Sequence, residues 1–526
     1  MVSFKSFISL AVMCALIFSM LGQLFIDLSS ENVISTLVIA LATSVTLAYL
    51  YWVDAYKITP ISAIIILALL FTGLFGALLF QTLNINPVIK YLFIPVYTFS
   101  KLAFYLFLTL FIHYVYLTFF KSTNKSSTIK FFDLKRILSN LGLYNIPSVK
   151  AIWLLSIVGL LALVLGKTLS STLGRAIFNL HFFMWFPYII IFYVQKFGSN
   201  YANIKKQYFF ISLFFGLSVL LGIAFNSRSI IIEGLVNILL VATILLLQNN
   251  RRHEIRFYIK FSFLILLSLG MLKPFSSFSE AMLTARLEKE NSTPIRMLTT
   301  TFDIYLNSRN STLNNEKNQQ NYKIYLDYDE EYIENGIINR FVLTKYHDNA
   351  FYYASMLSKY GQLEIKKHLI KSLVAILPQP IIDKLGIDLN KLEILNSTTD
   401  ILVHETTGRR LGGLKVPSSF ADLEVAFGLF APFVFIGLVL ILFKLVELFG
   451  INSQNYGYIV AFPFFAIAAD LIIMLLPVKS IQGVIYLLFR GFGEIILLFS
   501  MFIYFTSLVF PHFKIIHTYE DEKGNV

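Results

Sequence analysis

The chain has 526 residues, 56 % of them in the AVILMFWYC set and only 14 % charged, with a mean hydropathy of +0.70. A soluble globular domain is about one-quarter charged, so this composition excludes disorder, collagen-like structure and an ordinary cytosolic enzyme, and calls for a bilayer as solvent. The single cysteine, Cys14, excludes a disulfide framework and a cysteine-ligated metal site. The net charge of +12 reads as cation-rich cytoplasmic loops rather than as a nucleic-acid-binding surface.

A spanning helix needs roughly 20 mostly apolar residues. Such runs predict about twelve transmembrane helices, near 7–26, 33–52, 61–80, 94–119, 151–166, 176–194, 207–225, 229–248, 257–272, 425–448, 457–476 and 481–508. The first lacks a small-residue cleavage site and is read as a helix, not as a signal peptide. Lys121, Lys125, Lys130, Lys135, Arg136 and Lys150 fall in one predicted inner loop. Lys196, Lys205 and Lys206 fall in a second, and Arg251, Arg252 and Arg256 in a third. By the positive-inside rule both termini are cytoplasmic. The fold class is therefore an all-α polytopic membrane protein with three parts. N-terminal membrane helices occupy 1–272, a large extracytoplasmic loop with short amphipathic helices occupies 273–424, and C-terminal membrane helices with a cytoplasmic tail occupy 425–526.

Ionisable residues within spans are costly, about 2.5–3.5 kcal/mol each on insertion scales. They are Lys101, His113, His181, Glu233, Asp470, Arg490 and Glu494, and all but His113 and Glu494 fall in the outer half. Arg228, in the short FNSRS connection, is held at the membrane boundary. Guanidinium groups at that depth suit a polyanion anchored in the outer leaflet, because Arg grips phosphate oxygens with a planar fork. A lipid-linked pyrophosphate fits. Arg490 and Glu494, four residues apart, also suit simple mutual neutralisation on one helix face.

The end of the large loop has the punctuation of an ordered, turn-rich region: Pro378, Pro380, Gly386, Gly408, Gly412 and Pro417. His404 precedes the cations Arg409 and Arg410, and Asp422 and Glu424 stand at the mouth of the tenth predicted span. Arg340, with His347 and Asp348 following it in NRFVLTKYHDNA, is a second loop candidate. These groups offer a proton acceptor and cations for a leaving diphosphate, the needs of glycosyl transfer. Asp422 and Glu424 are two apart and point in different directions on a helix. No HExxH, CxxC or Walker-type loop occurs, so neither a metal nor a cofactor is expected.

Four segments carry a family resemblance: FNSRSIIIEG at 225–234, ILPQPIIDKLGI at 376–387, GGLKVPSSFADLEVAFGLFAPFVFIGLVL at 412–440 and LLFRGFGEIILLF at 487–499. Together they resemble the oligosaccharide repeat-unit polymerases (Wzy-type O-antigen polymerases) of bacterial envelopes. The resemblance implies a metal-independent glycosyltransferase of the bacterial cytoplasmic membrane that moves a growing glycan from one undecaprenyl pyrophosphate carrier onto the repeat unit of another on the outer face. A chain-length regulator is an implied partner. Arg228 and Arg490 would bind diphosphate, and Asp422 or Glu424 would lie near the acceptor. The related O-antigen ligases use a loop histidine beside the following helix; PSSFADLE has none, so His404 is placed by position only. A lipid-linked oligosaccharide flippase and a ligase-type transferase are the alternatives.

Overall fold

The computed structural model describes residues 4–121, 134–169, 172–198, 202–248, 272–285, 293–308, 328–336, 338–389, 391–394, 396–412, 415–453, 457–465 and 480–510. Among these, eight helices are long and apolar enough to cross a membrane. The membrane-protein reading therefore stands. Large apolar side chains cover the outside of these helices, with Phe25 at 90 % and Phe209 at 67 % exposure. Patches of that kind require lipid rather than water around them.

The chain opens with α1 (Phe4–Ile26) and α2 (Ser30–Trp52), an antiparallel pair. Ser29 caps α2 by accepting the Asn32 N–H. Next come α3 (Pro60–Leu83) and α4 (Pro95–Phe119), each begun by a proline that needs no intrahelical donor. These four helices pack together. Further on are α5 (Val149–Thr168), α6 (Ile189–Phe197), α7 (Ile204–Ala224) and α8 (Arg228–Gln248). Two short helices, α9 (Leu272–Ala285) and α10 (Pro294–Ser308), pack on each other, and α10 rests on α7.

The described residues between the two membrane parts are largely helical. They include α11 (Thr344–Ser355), α12 (Lys359–Val374), α13 (Gln379–Lys384) and α14 (Thr398–Thr407). α11 and α12 are separate helices, because Ser358 caps a fresh start at α12. Then follow α15 (Ser419–Phe427) and α16 (Ala431–Val446), within one apolar span, and α17 (Ile481–Ser507).

Two predicted spans take another form. The run 176–194 is not one helix: the 3-10 turn His181–Tyr188, which contains Pro187, interrupts it before α6. Proline supplies no N–H to a continuing α-helix. This aromatic segment packs tightly on α5, where a Cβ on Gly159 would lie 2.3 Å from the Met184 backbone nitrogen. The predicted span 457–476 starts as a strand: β2 (Gly457–Val460) pairs antiparallel with β1 (Gly450–Ser453), Gly450 opposite Val460. The runs 251–271 and 466–479, with Asp470, lie outside the described residues. The run 229–248 forms the single helix α8.

Candidate functional site

One end of the bundle gathers the N-terminal ends of α4, α15 and α17, with α11, α12 and α14 packed onto them. The anchorage of α11 explains much of this. Midway along α3 the helix widens into a π-turn, Phe71–Phe75. Within that turn the carbonyls of Thr72 and Gly73 accept from Leu343 N (2.8 Å) and Thr344 Oγ1 (2.9 Å). Gly73 lies about ten residues, or roughly 15 Å, from the Leu83 end of α3. The start of α11 therefore sits deep against the bundle, and its first turns are polar yet buried: Thr344, Lys345, His347, Asp348 and Asn349.

Buried polar groups need partners, and most of these have them. Asp348 accepts from Phe93 N (2.7 Å), Ile94 N (3.0 Å) and Thr98 Oγ1 (3.1 Å), satisfying the open N-terminus of α4. Lys345 lies 3.6 Å from Asp348, donates to the Tyr91 carbonyl and sits over the Phe93 ring. Burial holds the Lys345 ammonium below its usual range, against the opposing pull of Asp348. His347 Nδ1 pairs with Ser418 Oγ at 2.8 Å, while its Nε2 is buried without a partner. Burial pushes that imidazole down to about 3, so it is neutral at pH 7.

The two carboxylates of α15 part company, as their spacing requires. Asp422 turns inward and is fully buried. Its Oδ2 accepts from Thr398 Oγ1 (2.8 Å) and Ile481 N (3.1 Å), and its Oδ1 has no partner. Glu424 turns to α4. Its Oε1 accepts from Lys101 Nζ (2.7 Å) and Tyr105 OH (3.1 Å), and its Oε2 from Tyr97 OH (3.3 Å). The Tyr105 ring stacks on Phe420 of α15, 4.5 Å between centroids.

Arg490 sits in a π-turn, Leu487–Gly491, of α17. Its Nε donates to Glu494 Oε1 (2.6 Å) and one terminal nitrogen to the Ile376 carbonyl (2.8 Å). The neutralising pair expected from their spacing is thus present, and Arg490 also ties α17 to the segment before α13.

The remaining predicted residues lie farther out. His404, on α14, pairs through Nδ1 with the Arg409 carbonyl, so His404 and Arg409 close one turn around Gly408. His404 does not join the carboxylates of α15 but lines a cavity of about 290 Å³ between α12 and α14, with His368, Lys371 and Glu405. Arg410 is exposed. Arg340 donates to Tyr346 OH (3.2 Å), and its charge counters part of the burial that raises Glu330. Glu330 in turn accepts from Val416 N (3.1 Å), binding 328–340 to the approach to α15, and Lys415 pairs with Asp400 of α14 (3.3 Å). Arg228 begins α8, and its side chain lies outside the described residues.

The charges at other depths are partnered too. His113 bridges Tyr49 OH (2.8 Å) and Thr59 Oγ1 (3.0 Å), Trp185 Nε1 donates to Glu233 (3.1 Å), and His181 pairs with the Phe178 carbonyl (2.7 Å). Sequence reasoning singled out Arg340, with His347 and Asp348 following it in NRFVLTKYHDNA, but did not foresee that Asp348 satisfies the head of α4. Among the described residues, no group of three His, Cys, Asp or Glu side chains is arranged to hold a metal ion. The chain matches no protein-family model, and no curated protein or solved structure is significantly similar to it.

Proposed function

We propose that this chain is a metal-independent membrane glycosyltransferase that polymerises undecaprenyl-pyrophosphate-linked oligosaccharide repeat units on the outer face of a bacterial cytoplasmic membrane. The observation that supports it best is the meeting of three of the four polymerase-like segments at one end of the bundle. Arg490, in the segment 487–499, reaches the Ile376 carbonyl that opens the segment 376–387. Asp422, in the segment 412–440, holds the Ile481 N–H that starts α17. Segments far apart in sequence thus converge on α17, with Asp422 at its start and Arg490 nine residues, or roughly 13 Å, further along it.

Each residue then has a chemical task. Arg490 spends one N–H on Glu494 and one on Ile376, leaving three for phosphate oxygens. The acceptor hydroxyl gives its proton to a carboxylate as its oxygen bonds to the anomeric carbon, while the bond from that carbon to the diphosphate breaks. Asp422, with Oδ1 unpartnered, is the better proton acceptor; Glu424 is already engaged by three donors. The cavity beside His404 is large enough for one sugar of the acceptor chain. Arg228, Arg340, Arg409 and Arg410 complete the proposed diphosphate and glycan contacts.

Arg490→Ala is the test. The expected result is loss of long-chain polysaccharide on a glycan gel with normal amounts of inserted protein by membrane immunoblot. Normal chain length in that variant overturns the assignment. In a deletion strain, single repeat units stranded on the inner face indicate a flippase, and long polymer left on its carrier indicates a ligase-type transferase.

A further inference from the structure

A cavity of about 420 Å³ opens on the flank of the bundle between α4 and the junction of α15 with α16. Lys101 and Glu424 form one wall, and Gly428, Leu429 and Pro432 the other. Gly428, at φ +55°, ends α15 and turns the chain into α16. The side chains around this opening are apolar and point outward: Leu429 is 93 %, Phe430 71 % and Phe433 69 % exposed. The ion pair is not closed on itself. Two phenols, Tyr97 and Tyr105, share the Glu424 carboxylate with Lys101. The Lys101 ammonium spends one of its three N–H donors on Glu424, and the phenols share the neutralisation of that carboxylate, so N–H donors remain for a second anion.

A charged group recessed beneath an exposed apolar rim matches an amphiphile with an anionic head. We propose that this cleft binds a membrane glycerophospholipid, its phosphate at Lys101 and its acyl chains along Leu429, Phe430 and Phe433. The site depends on the chain spanning a bilayer and not on glycosyl transfer.

The test uses the full chain in micelles of an uncharged alkyl glycoside detergent, which brings no competing phosphate, doped with a phosphatidylethanolamine that carries a diazirine on its acyl chain. After irradiation, peptide mapping locates the cross-links. Labelling around Leu429–Phe433 is expected to exceed that at Phe209 and Leu213 of α7, which are 67 % and 63 % exposed, by about tenfold, the scale of one charge-assisted contact. A diacylglycerol carrying the same diazirine but no phosphate gives no such excess on the wild-type chain, a comparison that needs no variant. Lys101→Gln abolishes the excess while α7 labelling stays unchanged; Lys101→Arg retains it. Equal labelling at both places, equal labelling by the two probes, or an excess that persists in a folded Lys101→Gln variant overturns the proposal. Displacement of the lipid probe by millimolar inorganic phosphate alone also overturns it, as that marks a site for free anions.

Discussion

Replacing Asp348 with Ala tests how the interior is held. The carboxylate satisfies three donors at the head of α4, at 2.7, 3.0 and 3.1 Å, and lies 3.6 Å from Lys345. Both side chains of the pair are almost completely buried, at 3 % and 0 % exposure. Loss of a helix cap alone costs about 1–2 kcal/mol. Removing one partner of a buried ion pair costs about 3–5 kcal/mol, since the other charge is left without compensation. The two overlap, so Asp348→Ala should destabilise by about 3–5 kcal/mol in total. Asp348→Asn keeps an acceptor but not the charge and should cost less than Ala. Adding Lys345→Met to Asp348→Ala removes the stranded ammonium and should recover part of the loss. Unfolding in mixed micelles, followed by tryptophan fluorescence, provides the measurement. A shift under about 1 kcal/mol for Asp348→Ala would refute the reasoning, since surface substitutions fall in that range. A double variant no more stable than the single one would remove the buried-charge argument specifically.

Stability should fall in acid through His347. Its folded pKa lies at about 3 against an ordinary 6.5, so below 6.5 the unfolded chain binds the extra proton and stability is lost progressively down to about 3. At pH 5 the loss amounts to about 2 kcal/mol. A pH series should show that slope in the wild type and a shallower one in His347→Gln; identical slopes refute the prediction. Gly159→Ala should destabilise by about 1–3 kcal/mol, because its Cβ would meet the backbone of Phe183 and Met184 below 3 Å. A melting point equal to the wild type would show that α5 and the 3-10 segment can separate freely. Arg490→Lys should shorten the polysaccharide almost as much as Arg490→Ala, because one ammonium cannot reproduce the fork that serves Glu494, Ile376 and a phosphate together. Full-length glycan in Arg490→Lys would show that charge alone suffices.

Composition and hydrophobic run length determined that this is a multi-pass helical membrane protein. Transfer of a long apolar segment into lipid depends on its length and content, whatever its neighbours are. Spacing likewise determined local facts. The Arg490–Glu494 pair and the divergence of Asp422 from Glu424 follow from helical geometry alone. Where the chain leaves regular helix, run length was a poor guide: the apolar segment around Pro187 is a 3-10 turn, and the one at Gly457–Val460 begins as a hairpin strand. Only the tertiary structure decided which polar groups meet. Asp348 serves α4, Glu424 serves Lys101, and His404 faces its own cavity away from both carboxylates of α15. The reason is physical. A buried polar atom is satisfied by whatever packing brings within hydrogen-bonding reach, and contacts between residues some 250 to 320 positions apart leave no periodic trace in the sequence.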